Sequence, residues 1–330
     1  MLKTDQKLNP KMFDADIEQA PTRDGYGKGL VELGEKDKRI VALCADLAES
    51  TRTHWFRDKF PERYIELGVA EQNMAAVASG LANYGKIPFI ASYAAFSPGR
   101  NNEQIRTTIS LPNLPVKIVG AHAGVSVGPD GGTHQALEDI ALMRVQPNMT
   151  VIVPVDSIEA RKATIGMVDD VSGPAYIRLG RENTPILTTL ESPFSVGKAN
   201  VLYDSEKIDV VILGCGPLLH NAILVARDFE KEGVNIAVVN IHTIKPIDKK
   251  TIVEYAKKAG AVVTIEEHQI AGGLGGAIAE VLSSEYPVPI EFVGVKDKFG
   301  QSGTPDELIA HYGLDKKALK EAVNKILKRK

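Results

Sequence analysis

Cysteine is scarce. Cys44 and Cys215 are the chain's two, and both sit inside apolar runs, so buried free thiols of a cytoplasmic protein are expected rather than a disulfide framework. Basic charge has no surplus either: 39 Lys and Arg stand against 42 Asp and Glu, a net charge of −3, which leaves nucleic-acid binding without electrostatic support. No apolar run approaches the roughly 20 residues that span a bilayer. The opening MLKTDQKLNPKMFDAD has no signal-peptide core, and neither secretion nor a membrane partner is expected. The seven histidines show no HExxH or CxxC partner spacing, so a metal site made by this chain alone is not expected. Low-complexity tracts and short repeats are missing too.

What is present is an ordinary globular composition, 44% hydrophobic and 25% charged over 330 residues. At roughly 100–200 residues per domain, that length predicts two domains. Short β-branched runs alternate with segments of helical period. The expected strands are 39–46, 63–68, 87–93, 116–122, 149–155 and 174–180, then 209–215, 235–241, 261–267 and 291–297. Near-continuous Val and Ile runs suit parallel strands buried on both faces. Strand–helix alternation twice over predicts two doubly wound α/β domains. Segment 71–84 predicts a helix, with Met74, Val77, Ala78 and Leu81 on one face and Gly85 as its stop. The aperiodic stretch ENTPILTTLESPFSVGKAN predicts a boundary. It divides the chain into a tail (1–15), a first domain (16–190) and a second (191–330), the tail being expected to be mobile or partner-bound.

Open parallel sheets bind ligands beyond the carboxyl ends of their strands. Those ends carry Asp46, Glu71 just after the second strand, Tyr93, Phe96, His122 and Arg181, more polar and aromatic groups than packing needs. After the fourth strand comes GAHAGVSVGPDGGTHQALED, with five glycines from Gly120 to Gly132 and with His122, Asp130 and His134 along it. Loops this long inside compact α/β units are usually functional or disordered, and the polar residues favour function over a flexible surface loop. In the second half, LGCGP (213–217) lacks the third glycine of a dinucleotide fingerprint, so a tight strand-to-helix turn is predicted. EEHQIAGGLGG (266–276) reads as a loop and helix entry of structural or intersubunit use.

Together these segments resemble the transketolase family. GAHAGVSVGPDGGTHQ is similar to its substrate loop, with the same eight- and four-residue intervals between His122, Asp130 and His134. YIELGVAEQNM is similar to its catalytic-glutamate segment, CADLAES to its Ala-Asp-Leu-x-x-Ser segment and EEHQIAGGLG to its C-terminal domain. The resemblance runs from about Thr22 to the end of the chain. It implies a thiamine-diphosphate pyrimidine-binding domain followed by a transketolase C-terminal domain. The family's Gly-Asp-Gly motif and following Asn hold Mg²⁺ and the cofactor's diphosphate, and no Gly-Asp-Gly occurs here. The resemblance therefore implies half of a split enzyme, inactive alone. A separate N-terminal subunit would supply the metal and diphosphate site in an α2β2 assembly.

The resemblance also implies roles residue by residue. Glu71 would hydrogen-bond the cofactor's pyrimidine and enforce the imino tautomer that activates thiamine. An isolated glutamate there would be read as a first-turn residue favoured by the helix dipole, worth roughly 0.3–1 kcal/mol. Phe96 and Tyr93 would stack on the pyrimidine, worth roughly 0.5–1.5 kcal/mol beyond burial, but the family's third aromatic is replaced by SPGRNN (97–102). Asp46 would lie near the thiazolium and favour its charge, or cap a helix, or both. Arg23, Ser50, His122 and Arg181 resemble the family's grip on the distal phosphate of sugar phosphates, for which arginine's planar fork is suited. Asp130 and His134 would contact hydroxyls near the reacting carbon, with His134 also moving protons.

The implied activity is transfer of a two-carbon ketol unit from a ketose phosphate to an aldose phosphate, the chemistry of the pentose phosphate pathway. One rival is a β subunit of a 2-oxo acid dehydrogenase complex, which has no reason to keep the phosphate-gripping set. Another is a non-catalytic scaffold or regulatory relative, against which the intact Glu71, Asp130 and His134 speak.

Overall fold

The computed structural model describes residues 1–330. Its strands in chain order are β1 (Gln19–Ala20), β2 (Ile40–Cys44), β3 (Tyr64–Glu66), β4 (Ile87–Tyr93), β5 (Lys117–Ala121), β6 (Thr150–Ile152), β7 (Ala175–Arg178), β8 (Thr184–Pro185), β9 (Asn200–Tyr203), β10 (Val210–Gly214), β11 (Ile236–Asn240), β12 (Thr243–Lys245), β13 (Val262–Gln269) and β14 (Ile290–Val295). Two large sheets run in the orders β12-β6-β7-β5-β4-β2-β3 and β14-β13-β10-β11-β9. Every strand expected from the sequence forms and pairs in parallel with another. The strands not foreseen, β1, β8, β9 and β12, all pair antiparallel.

Side-chain alternation along the strands builds a core on each face. In the first domain, Ile40 and Ala42 face Tyr26 and Leu30 of helix Thr22–Lys36 and Ala160 and Ala163 of helix Ser157–Asp169. Val41 and Leu43 face Met74, Ala75 and Ala78 of helix Glu71–Asn83. That helix ends at Tyr84 and Gly85, whose φ of +78° suits glycine. The second domain repeats the plan, with Ala222 and Leu319 under one face and Ile252 and Ile278 under the other. Both domains are thus doubly wound α/β.

The two halves share structure. β12, from the second domain, lies antiparallel on β6 and covers the edge of the first sheet. Val151 and Val153 belong to the same apolar cluster as Ile241 and Ile244. The first 15 residues correct the expectation of a mobile or partner-bound tail: they are docked within this chain. Met12 is fully buried in the second domain's core, Asn9 N–H donates to the Leu187 carbonyl at 2.8 Å, and Leu2 bridges to Tyr203. Its apolar residues are too sparse to show a period, which hid the docking.

The LGCGP turn is tight: β10 stops at Gly214, Gly216 has φ +72°, and a helix begins at Leu219. Cys44 and Cys215 are free and buried. No helix is long and apolar enough to cross a membrane.

Candidate functional site

The carboxyl ends of β2, β4 and β5 and the first turns of two helices converge on one cleft. Immediately after β2 and β5, Asp46 and His122 take φ values of +60° and +52°. This left-handed region costs an L residue about 1–2 kcal/mol, and it turns both residues out of their strands. The first turn of helix Thr22–Lys36 is tied to the end of β7 by Gly180 N–H donating to Thr22 Oγ1 at 2.7 Å. The helix lies close on Ser157–Asp169 because Gly25 has no Cβ, which would stand 1.8 Å from the Ser157 carbonyl oxygen. Arg23 is thereby brought to the cleft.

One run of contacts joins most of the candidates. Arg23 Nη1 donates to the Ser50 carbonyl at 2.9 Å and lies 3.2 Å from His122 Nε2. Tyr93 donates to Ser50 Oγ at 3.2 Å and stacks on His122 with ring centroids 3.9 Å apart. Tyr93 and Phe96 are near-parallel at 5.9 Å, and His134 stands edge-on to both, 5.3 Å from Phe96. Arg100 extends the run: its guanidinium lies over Phe96 at 4.6 Å, and Nη1 donates to Glu71 Oε2 at 2.6 Å. Glu71 is 1% exposed, with Ser92 Oγ 3.5 Å from Oε1 and Asn101 Nδ2 donating to its backbone carbonyl at 3.1 Å.

The end of the cleft at Arg23 is strongly cationic. Burial, with the Arg52 and Arg181 guanidiniums behind it, lowers the Arg23 pKa. Burial first, and then Arg23, Arg181 and Arg52, pull His122 down to about 3, so its imidazole is neutral near pH 7. Arginine only donates, so the Arg23 contact leaves His122 Nε2 as acceptor and puts the ring proton on Nδ1. Both His122 Nδ1 and Arg23 Nε are buried without a partner. Two orphaned donors among guanidiniums form a site for an anionic oxygen group. Arg181 donates to the Val127 carbonyl at 2.8 Å.

Three candidates stay outside this run: Arg181, whose contacts are the Val127 carbonyl and Glu182, and then Asp130 and Asp46. Asp130 is exposed, at the end of a turn over Val125–Asp130, with no side-chain partner. Asp46 is exposed and its N–H donates to Glu66 Oε1 at 2.8 Å. It caps no helix, because the next one, Ala48–Thr51, has Leu47 at that position. Arg100, Arg52 and Asn101 were missed. For Arg100 and Asn101 the signal was SPGRNN itself, whose cation stands where an aromatic was sought; Arg52 had none. No group of three or more His, Cys, Asp or Glu side chains is placed to hold a metal ion.

The second domain supplies no side chain to this run of contacts. Its EEHQIAGGLGG segment is structural: Glu266 accepts from Leu274 N–H at 2.7 Å and Gly275 N–H at 2.8 Å, capping helix Leu274–Glu285.

Known proteins match along nearly the whole chain. The transketolase pyrimidine-binding domain family matches residues 18–186 and the transketolase C-terminal domain family residues 197–319. A protein of Methanocaldococcus jannaschii described as a transketolase C-terminal section is 43% identical over 93% of this chain and 96% of its own length. A 6-deoxy-6-sulfo-D-fructose transketolase subunit of Clostridium sp. strain MSTE9 is 40% identical, covering 96% of this chain and 98% of its own. A solved split-gene transketolase, described as an inactive β4 tetramer, superposes with a TM-score of 0.86 at 46% identity, over 93% of this chain and 98% of that one.

Proposed function

Because the chain belongs to the transketolase family, as the C-terminal part of a split enzyme, we propose that it serves the transfer of a two-carbon ketol unit from a ketose phosphate to an aldose phosphate. The observation that carries this reading is the pair of buried, unpartnered donors, Arg23 Nε and His122 Nδ1. A sugar's distal phosphate would satisfy both, with Ser50 and Arg181 beside them. The pyrimidine-binding residues also fit thiamine diphosphate. Glu71 offers a carboxyl with one replaceable partner, two aromatic rings lie alongside, and the neighbouring Asn101 Oδ1 is a buried acceptor with no donor.

When bound, thiamine diphosphate supplies the electron sink on which the two-carbon fragment is carried. Glu71 would hold the proton of the pyrimidine nitrogen, while Phe96 and Tyr93 orient the ring and exclude water. Asp46 would face the thiazolium charge. Asp130 and His134 would reach hydroxyls near the reacting carbon, and His134 would move protons there. Mg²⁺ and the diphosphate belong, in this proposal, to an N-terminal partner subunit in a cytoplasmic α2β2 assembly.

Mixing the chain with that subunit, Mg²⁺ and thiamine diphosphate should give transfer from xylulose 5-phosphate to ribose 5-phosphate, with each subunit alone inactive. Turnover by the isolated chain, or none by the mixture, overturns the proposal. A sulfonate presents similar oxygens to the arginines, and one relative is named for a sulfo-sugar. Offering 6-deoxy-6-sulfo-fructose as a competing donor in the same assay identifies the preferred anion.

A further inference from the structure

The glycine-rich segment 120–135 reads, by composition, as flexible. In the structure its glycines are places of close approach. A Cβ on Gly120 would stand 2.2 Å from Tyr176 Oη inside the first domain. The others meet the second domain. A Cβ on Gly124 would stand 2.3 Å from Glu267 Oε1, one on Gly131 2.7 Å from Ser302 Oγ, one on Gly132 2.6 Å from the Gly300 carbonyl, and one on Gly128 3.3 Å from Pro305. The segment is pressed between the end of β13 and residues 300–305.

Two side chains pin it. Glu267 alternates with Glu266 along β13: Glu266 turns into its own domain, and Glu267 reaches across to accept from Ser126 N–H at 2.6 Å. Gln135 is 4% exposed. Its Nε2 lies 3.0 Å from the Val125 carbonyl and 3.2 Å from that of Gly128, within the segment, and 3.0 Å from the Gln301 carbonyl in the second domain. Arg178 closes the far end, with Nη2 donating to the Ala136 and Glu267 carbonyls at 3.2 and 2.8 Å. His122, Asp130 and His134 are carried on this same segment, and none of the pinning groups takes part in their contacts.

We infer that the second domain is a brace for the sugar-binding loop, and that Glu267 and Gln135 are positioning residues for the transfer reaction. This rests on the transfer reading above. A displacement of about 1 Å in a positioned group can cost about 10²-fold in rate, so a brace that touches no substrate still governs catalysis. The role is specific: it acts on the loop, and leaves alone the Glu71–Phe96 pocket where the cofactor's ring would lie.

The test uses Glu267→Ala and Gln135→Glu, which remove one pin each, and Glu267→Gln, whose carbonyl oxygen still accepts from Ser126. In the full chain alone, amide hydrogen exchange over 124–134 is expected to speed at least about tenfold in the first two variants, with the core strands unchanged. In the assembled enzyme their sugar-phosphate KM should rise about tenfold, while half-saturation by thiamine diphosphate stays within about twofold. Glu267→Gln should restore both readouts. Unchanged exchange overturns the brace, whatever the enzyme does. Faster exchange with an unchanged sugar KM, or equal losses for sugar and cofactor, overturns the positioning role. If wild-type assembly shows no transfer, the functional reading falls alone, and the exchange result still decides the brace.

Discussion

Glu71 and Glu266 are buried alike, each 1% exposed, one per domain, Glu71 opening a helix and Glu266 on β13 capping another. Their partners differ in kind. Glu266 is held by two backbone N–H groups, and Gly273 is pressed so close that a Cβ there would stand 2.0 Å from Oε2. Glu71 has one charged partner, Arg100, whose side chain is 46% exposed. Backbone donors cannot withdraw, whereas a guanidinium on a long, half-solvated stem can. Burial alone therefore does not distinguish a carboxyl open to a new partner from one fixed in place. A replaceable partner does.

The sharpest way to break this contrast is Glu71→Ala in the assembled enzyme. Loss of transfer beyond about 10³-fold is expected, with assembly retained by size-exclusion chromatography; near-normal turnover would place Glu71 in the same class as Glu266. Arg181→Ala comes next, lowering kcat/KM for phosphorylated sugars by roughly 10–100-fold and for unphosphorylated ones far less. Equal losses would remove the phosphate assignment.

Glu266→Ala should cost about 2 kcal/mol in urea unfolding, through two lost caps, while activity per folded molecule is kept. Activity falling ahead of stability would mean that Glu266 too reaches the chemistry. Its pH behaviour sharpens the point. Burial pushes the Glu266 carboxyl from an ordinary 4.5 up to about 7, against the pull of the two N–H groups. Between those values the native state holds a proton that the unfolded chain has released, so wild-type stability falls as pH rises through that window. Glu266→Gln should flatten that slope, and parallel curves for the two proteins would contradict the assignment.

The smallest effect concerns Arg100. It makes with Glu71 and Phe96 the two contacts proposed for the pyrimidine, so it competes for the pocket. Only the Arg100 side of the pair is solvated, which weakens its hold, so Arg100→Ala should lower half-saturating thiamine diphosphate by about fivefold or less. A higher value would make Arg100 a wall of the pocket instead of a competitor.

The parallel strands were legible because burial on both faces demands unbroken apolar runs. β1 and β8 are two residues each, β12 three and β9 four. Most of their residues are only partly buried, and such pieces carry no period to read. In the cleft, Glu71, Tyr93, Phe96 and His122 were singled out because they lie at or just after strand ends, His134 by its place on the glycine-rich loop, Arg23 and Ser50 through the family resemblance, and Arg100 and Asn101 not at all. Asp130, singled out on the same loop as His134, projects into solvent. The docking of residues 1–15 and the contacts of the loop glycines with the second domain were not legible at all.

Amino-acid order by itself determined which segments become strands and helices, where each turn falls and which polar groups are delivered to the strand ends, since these follow from local periodicity and steric limits. Only the tertiary structure decided that Glu71 is held by Arg100, that two donors are left without acceptors, and that the loop glycines are contact points with the second domain. Each of those depends on which distant surfaces come within van der Waals or hydrogen-bond reach, a property of the packed chain that no local window contains.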